Sequence, residues 1–160
     1  MHQPSRRRFL QQLGTVSAAA TVAVPAQARA VGTAERLSVG VIGVGGRGSG
    51  LLKTFRQIAD VVYVCDPDEA RRRKAKGSSG AIRAVSDLRR VLDDSSVDAV
   101  VIATPDHWHA PAAIMACAAG KHVYVEKPCS HNYRESRLLL DAARRNNVVV
   151  QHGTQSRSNE

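Results

Sequence analysis

Ser38-Val39-Gly40-Val41-Ile42-Gly43-Val44-Gly45-Gly46-Arg47-Gly48 decides how this 160-residue chain reads. The apolar, β-branched run over 37–42 predicts a buried strand. Beyond the glycines, Leu51, Leu52, Phe55 and Ile58 recur at helical spacing. A Gly-x-Gly-x-x-Gly pattern is weak alone, but between a strand and a helix it has the context its mechanism requires. Gly43 permits a tight turn, Gly45 lets the backbone approach a pyrophosphate, and Gly48 allows close helix–strand packing. Gly46 and Arg47 open the helix, whose free N–H groups and positive potential favour an anion. Asp66 closes the next apolar run, 61–65, and stands 21 residues after Gly45. A carboxylate there accepts hydrogen bonds from the adenosine ribose of a dinucleotide. A glycine-rich turn and a surface acid explain each piece, but not their order and spacing.

Asp66 also bears on which dinucleotide is bound. A 2′-phosphate beside it, with Asp68 and Glu69 close behind, meets like charge, so NAD is expected and NADP is the less favoured cofactor. Arg71-Arg72-Arg73-Lys74 opposes this but lies more than a helical turn past the strand, and most of it reads as a solvated helix face.

The alternation continues outward. A charged helix over 71–76 precedes a loop at 78–80 and a short run at 81–85. Ser86 is the expected N-cap of a helix over 87–92. Residues 99–103 form a continuous apolar run, typical of a strand buried on both faces of a parallel sheet. An alanine-rich helix over 110–119 stops at Gly120, and strand 123–125, helix 133–145 and strand 148–151 follow. Six strands with five helical connections make a doubly wound, parallel α/β sheet over residues 35–152.

Composition removes other classes. At 43% apolar residues the chain can bury a core. Six aromatic residues are too few for a platform that stacks single-stranded nucleic acid, and no recognition motif accompanies the charge of +9, so no nucleic-acid partner is expected. Cys65, Cys117 and Cys129 have no disulfide or zinc spacing. The apolar stretch 13–24 falls short of the roughly 20 residues of a membrane span, so no stable membrane anchor is expected.

Residues 1–30 are a different kind of sequence. A basic start without acids runs through Arg8, a mildly apolar alanine-rich stretch follows, and Ala26-Gln27-Ala28 offers a cleavage site, the three-part layout of an export signal. Ser5-Arg6-Arg7-Arg8-Phe9-Leu10 resembles the bacterial twin-arginine signal, with Gln11 where Lys is common. Export through the twin-arginine translocation machinery to the periplasm is the expectation. Cleavage after Ala28 removes three arginines, so +9 falls to +6.

Two further loops follow apolar strands, at the carboxyl ends where open α/β sheets bind ligands. They are Thr104-Pro105-Asp106-His107-Trp108-His109 and Glu126-Lys127-Pro128. Together with the glycine loop and Gly120-Lys121-His122-Val123, they make the chain from about Leu37 onward resemble the family of glucose–fructose oxidoreductase, inositol dehydrogenase and MocA-like proteins. Glu-Lys-Pro after the fifth strand is the most specific part. The resemblance implies a Rossmann NAD-binding fold in which Thr104, Pro105, His109 and Glu126 line the cofactor groove, with Lys127 at the chemistry. Elementary chemistry agrees, because an ammonium can bond a substrate hydroxyl and stabilise the alkoxide that forms there. A cis peptide before Pro128 is a natural expectation. His107 and His109 lack a third ligand nearby, so no metal is expected, and Trp108 is expected beside a sugar or the nicotinamide. Nothing marks Cys129 as a nucleophile.

Family members continue into a β-rich second domain that carries the principal acid/base pair, usually an Asp and a His. No counterpart of that domain is present, and residues 153–160 read as the start of the crossover to it, as in a truncated form. The resemblance implies an NAD-dependent oxidoreductase acting on a hydroxyl of a sugar or cyclitol, homo-oligomeric at full length. Two alternatives remain: an NAD-using glycosidase that oxidises transiently, eliminates and re-reduces, and a nucleotide-binding module without catalysis.

Overall fold

The computed structural model describes residues 36–155; the leader and the last five residues lie outside them. The elements run β1 (Ser38–Ile42), α1 (Gly46–Ile58), β2 (Asp60–Cys65), α2 (Glu69–Lys76), β3 (Arg83–Val85) and α3 (Arg89–Leu92). After them come β4 (Ala99–Ile102), a 3-10 turn (Asp106–Trp108), α4 (His109–Ala118), β5 (His122–Val125), α5 (Tyr133–Arg145) and β6 (Val150–His152). All six strands are parallel, in the order β3-β2-β1-β4-β5-β6. The order reverses direction between β1 and β4, the switch point of a Rossmann fold.

Alternation along the central strands divides the core in two. Val39 and Val41 of β1, with Val101 of β4, pack under Leu51 and Leu52 of α1. Ile42, Val100, Ile102, Val123 and Val125 face the alanines of α4 and Leu139 of α5. Val41, Val100 and Ile102 are fully buried, each worth about 1.5–3 kcal/mol relative to exposure. Small residues on α4 (Ala112, Ala113, Ala116) bring that helix close to the sheet.

Boundaries shift where caps decide them. Helix α2 begins at Glu69 because Asp68 accepts from the N–H groups of Ala70 and Arg71. The expected cap at Ser86 is not what the structure uses. Asp87 accepts from Arg89 N at 3.0 Å, and the helix that follows has only four residues. Asn132 caps α5 by accepting from Glu135 N, and the Glu135 carboxylate in turn accepts from His131 N.

At the amino ends of the strands the polar groups satisfy one another. Lys121, 6% exposed, donates to the carbonyls of Asp94 and Val97 at 2.8 and 2.9 Å. Asp94 also accepts from Ser96, Tyr63 and Arg83. The bonds from Ser96 first, then Tyr63, hold its carboxyl well below the usual range. Asp98 exchanges bonds with Ser38, and Arg36 pairs with Asp60 and reaches Ala59 O.

Candidate functional site

The carboxyl ends of β1, β2, β4 and β5 meet at the glycine loop. Gly43 has φ +82°, and its N–H bonds Cys65 O at 2.7 Å. A Cβ at Gly43 would strike the backbone of Ala103 and Thr104, and one at Gly48 would run into Gly43 O. The turn is therefore packed tightly against the start of its own helix and the end of β4. Gly45 occupies the N-cap position of α1 with no side chain capping the helix. The space around Gly46 is open. Uncapped N–H groups beside open space are the cradle a pyrophosphate needs.

Asp66 is 4% exposed and braces this loop. Its Oδ2 accepts from Val44 N at 3.1 Å and its Oδ1 from Asp68 N at 2.9 Å. Each carboxylate oxygen has further acceptor capacity, so a ribose hydroxyl fits the same group. Next to it Cys65 is buried, and burial, reinforced by the Asp66 charge, pushes its thiol up to about 12.

The basic run after β2 separates into individual roles. Arg72 folds back onto the carbonyls of Asp66 and Pro67, and Arg73 pairs with Glu69 on the solvated face. Arg71 turns inward. Its guanidinium lies 3.2–3.4 Å from where a Cβ of Gly45 would stand. Most of the run is solvated, as its spacing implies, and Arg71 alone of it comes up against Gly45.

On the other half, the Thr104 and Glu126 loops are joined by His109. The ring is 2% exposed, with Nδ1 at 2.6 Å from Pro128 O and Nε2 at 2.8 Å from Thr104 O. His109 thus stands behind the groove wall and ties its two loops together, where the resemblance implied a lining position. Its nitrogens are turned to main-chain carbonyls while His107 is exposed. Pro105 is exposed at the start of the 3-10 turn, and Trp108 is 46% exposed. The Thr104 hydroxyl is buried without a partner, an acceptor and donor left open at the carboxyl end of β4.

Glu126, 3% exposed, accepts from Arg47 Nε at 2.9 Å, from Lys127 N and from the Gln155 amide. Burial pushes its carboxyl up, but the bonds from Arg47, Lys127 N and Tyr124 and the Arg47 charge together hold the group below its ordinary range. The same bond raises Arg47. Both residues were expected at the cofactor. The structure pairs their side chains across 79 residues of sequence, so α1 is anchored to the end of β5. Sequence order gave no signal for that pair. Lys127 is exposed, and its ammonium has no partner among the described residues; the peptide to Pro128 is cis, as expected.

The open N–H cradle, the orphaned Thr104 hydroxyl and the buried carboxylate of Asp66 fit a dinucleotide. Residues 37–154 match the family described as oxidoreductase family, NAD-binding Rossmann fold. The chain is 36% identical over 166 residues to glycosyl hydrolase family 109 protein 2 of Shewanella sp. strain ANA-3, covering 86% of this chain and 36% of that protein. It is 32% identical over 174 residues to an alpha-N-acetylgalactosaminidase of Shewanella oneidensis, covering 91% and 38%. The WlbA dehydrogenase from Bordetella pertussis, solved in complex with NADH and UDP-GlcNAcA, superposes with a TM-score of 0.73 at 27% identity, covering 78% of this chain and 40% of that one. The chain spans little more than a third of the length of the curated relatives it matches. It belongs to the Gfo/Idh/MocA oxidoreductase family and carries that family's NAD-binding Rossmann fold.

Proposed function

We propose that this chain is the cofactor-binding part of an oxidoreductase acting on a hydroxyl of a sugar or cyclitol. The observation that carries the reading is Lys127, exposed at the carboxyl end of β5, on a loop that His109 ties to Thr104. Gly45, Gly46 and Arg47 N–H groups would hold the pyrophosphate, Asp66 the adenosine ribose, and Thr104 with Pro105 the groove wall. NAD bound there supplies a hydride acceptor. Lys127 donates a hydrogen bond to the substrate hydroxyl and stabilises negative charge as its proton leaves. Glu126 and Arg47 fix the backbone from which Lys127 projects. Positioning and proton transfer each contribute orders of magnitude in rate. The acid/base pair belongs to the second domain of the family, so residues 1–160 alone are expected to bind NAD weakly without turnover.

A second reading, a glycosidase that oxidises transiently and restores the hydride, is favoured by the names of the two Shewanella relatives. Products separate the two in a form that carries the second domain. Incubation with NAD, sugars, cyclitols and an aryl N-acetylgalactosaminide yields net NADH and a keto product from a dehydrogenase. A glycosidase releases the aglycone with no net NADH. Absence of both overturns both.

Export to the periplasm by the twin-arginine route is part of the proposal. Arg6→Lys with Arg7→Lys should retain the precursor in the cytoplasm, because the guanidinium pair and not charge alone is read. Unchanged periplasmic yield contradicts it.

A further inference from the structure

Gly153 is buried just beyond β6, where its N–H bonds Val125 O at 2.8 Å. Its φ is not positive, so its backbone is one that other residues adopt, and space alone demands a glycine. A Cβ there would stand 2.6 Å from the Tyr124 hydroxyl oxygen and 3.3 Å from Glu126 Oε1. Tyr124 is not free to step aside, because its ring packs edge-on against Phe55 of α1 with the centroids 5.6 Å apart. Its hydroxyl donates at 3.4 Å to the same Glu126 oxygen that accepts from Arg47 Nε at 2.9 Å. Burial first, then the Glu126 charge, pushes the phenol up, which keeps the hydroxyl a donor to that carboxylate. The other oxygen, Oε2, accepts from Lys127 N and from the amide of Gln155, two residues beyond Gly153.

We propose that Gly153 is a positioning residue for the cofactor: its bare backbone seats Tyr124 against Glu126, and Glu126 thereby holds Arg47 and the first turn of α1 where they receive the dinucleotide. This rests on the glycine loop as the seat of the cofactor and extends it to a residue beyond β6, three strands from β1 in the sheet. Arg47 is the second residue of α1, so its main-chain N–H is one of the uncapped donors of that turn. Glu126 is 3% exposed. Displacing a carboxylate so far from water drags its arginine along or breaks the pair, and a broken buried pair leaves an uncompensated charge. In either case the start of the helix moves with the Arg47 side chain. Hydrogen bonds weaken steeply as their angle degrades, so a small shift there is felt by a bound pyrophosphate. Gly153 therefore acts on the cofactor without touching it.

The test is a mutant cycle on the 160-residue chain: the parent, Gly153→Ala, Tyr124→Phe and the double variant. NMR titration gives the Kd for NAD, the Arg47 Nε–H resonance reports the bond to Glu126, and thermal melts report stability. In the parent background Gly153→Ala should weaken NAD about three- to tenfold, the scale of one misplaced hydrogen bond, and should shift the Arg47 Nε–H signal. In the Tyr124→Phe background the oxygen that meets the new Cβ is gone, and the same substitution should cost at most about twofold. Equal weakening in both backgrounds, or none in the parent background, overturns the inference while leaving the cofactor reading intact. Glu126→Gln, which leaves the segment after β6 untouched, should weaken NAD by the same factor as Gly153→Ala. Unchanged affinity in Glu126→Gln overturns the inference even where Gly153→Ala does not fold. Absence of NAD binding by the parent overturns the inference and the reading beneath it together.

Discussion

Strand β5 is flanked by two lysines with opposite fates. Lys121, before it, is buried and spends its ammonium on the carbonyls of Asp94 and Val97. Lys127, just beyond it, is exposed and its ammonium has no partner among the described residues. The same division holds for the two edges of the sheet. At the amino edge Arg36 pairs with Asp60, Asp94 accepts from Ser96, Tyr63 and Arg83, and Asp98 accepts from Ser38 N. At the carboxyl edge the α1 N–H groups, the Thr104 hydroxyl and Lys127 are left open, and the charged pair that is satisfied, Arg47 with Glu126, holds the loops that present them. Polar groups that satisfy one another make structure, and polar groups held rigidly without partners are available to a ligand.

Exchanging the two lysines for an apolar residue separates these roles. Lys127→Met, in a form carrying the second domain, should lower turnover by about 10²–10⁴-fold, the usual worth of a positioned proton-transfer group. Its melting temperature should stay at the parent value. Steady-state kinetics beside a thermal melt check this, and an unchanged kcat removes Lys127 from the chemistry. Lys121→Met should do the reverse. It leaves two carbonyls without their charged donor and should cost about 1.5–3 kcal/mol in denaturant unfolding, with NAD affinity within twofold of the parent. If affinity falls with stability intact, the amino edge takes part in cofactor binding.

The smallest effect concerns pH. Glu126 is held below its ordinary range in the folded protein. A carboxyl group depressed on folding stabilises the protein above its unfolded value, about 4.3 for Glu, and loses that contribution as pH falls through the folded one. Asp94, also lowered, acts in the same sense. The melting temperature should be level above about pH 5 and drop below pH 4. Glu126→Gln should start lower at pH 7 and drop less. Parallel curves for the two proteins would show that the Arg47 pair contributes no pH-dependent stability.

Most of the fold was legible because its signals are local. Apolar runs at 37–42 and 99–103 and the glycine loop specify buried parallel strands and the turn between β1 and α1 without reference to the rest of the chain. Ser86 was misassigned because Asp87, next to it, competes for the same task and carries the stronger acceptor. What the sequence hid are contacts between residues far apart. The pairing of Arg47 with Glu126, the ring of His109 bridging Thr104 and Pro128, and the approach of Arg71 to Gly45 all depend on strand order and side-chain direction. Periodicity encodes neither. His109 illustrates the gap: its place in the Thr-Pro segment implied a groove residue, and only the structure shows its ring nitrogens turned to the carbonyls of Pro128 and Thr104.

On the proposed reading, the carboxyl edge alone takes the dinucleotide, with the adenosine half at the glycine loop and the nicotinamide half at the Thr104 and Lys127 loops. Titrating NAD into the isotopically labelled chain and following backbone amide resonances by NMR tests it most directly. The amides of Gly45, Gly46, Arg47, Asp66, Thr104 and Lys127 should shift together and saturate with one Kd, while those of Arg36, Asp98 and Lys121 stay in place. Shifts confined to the amino edge, or none at millimolar NAD, would contradict it.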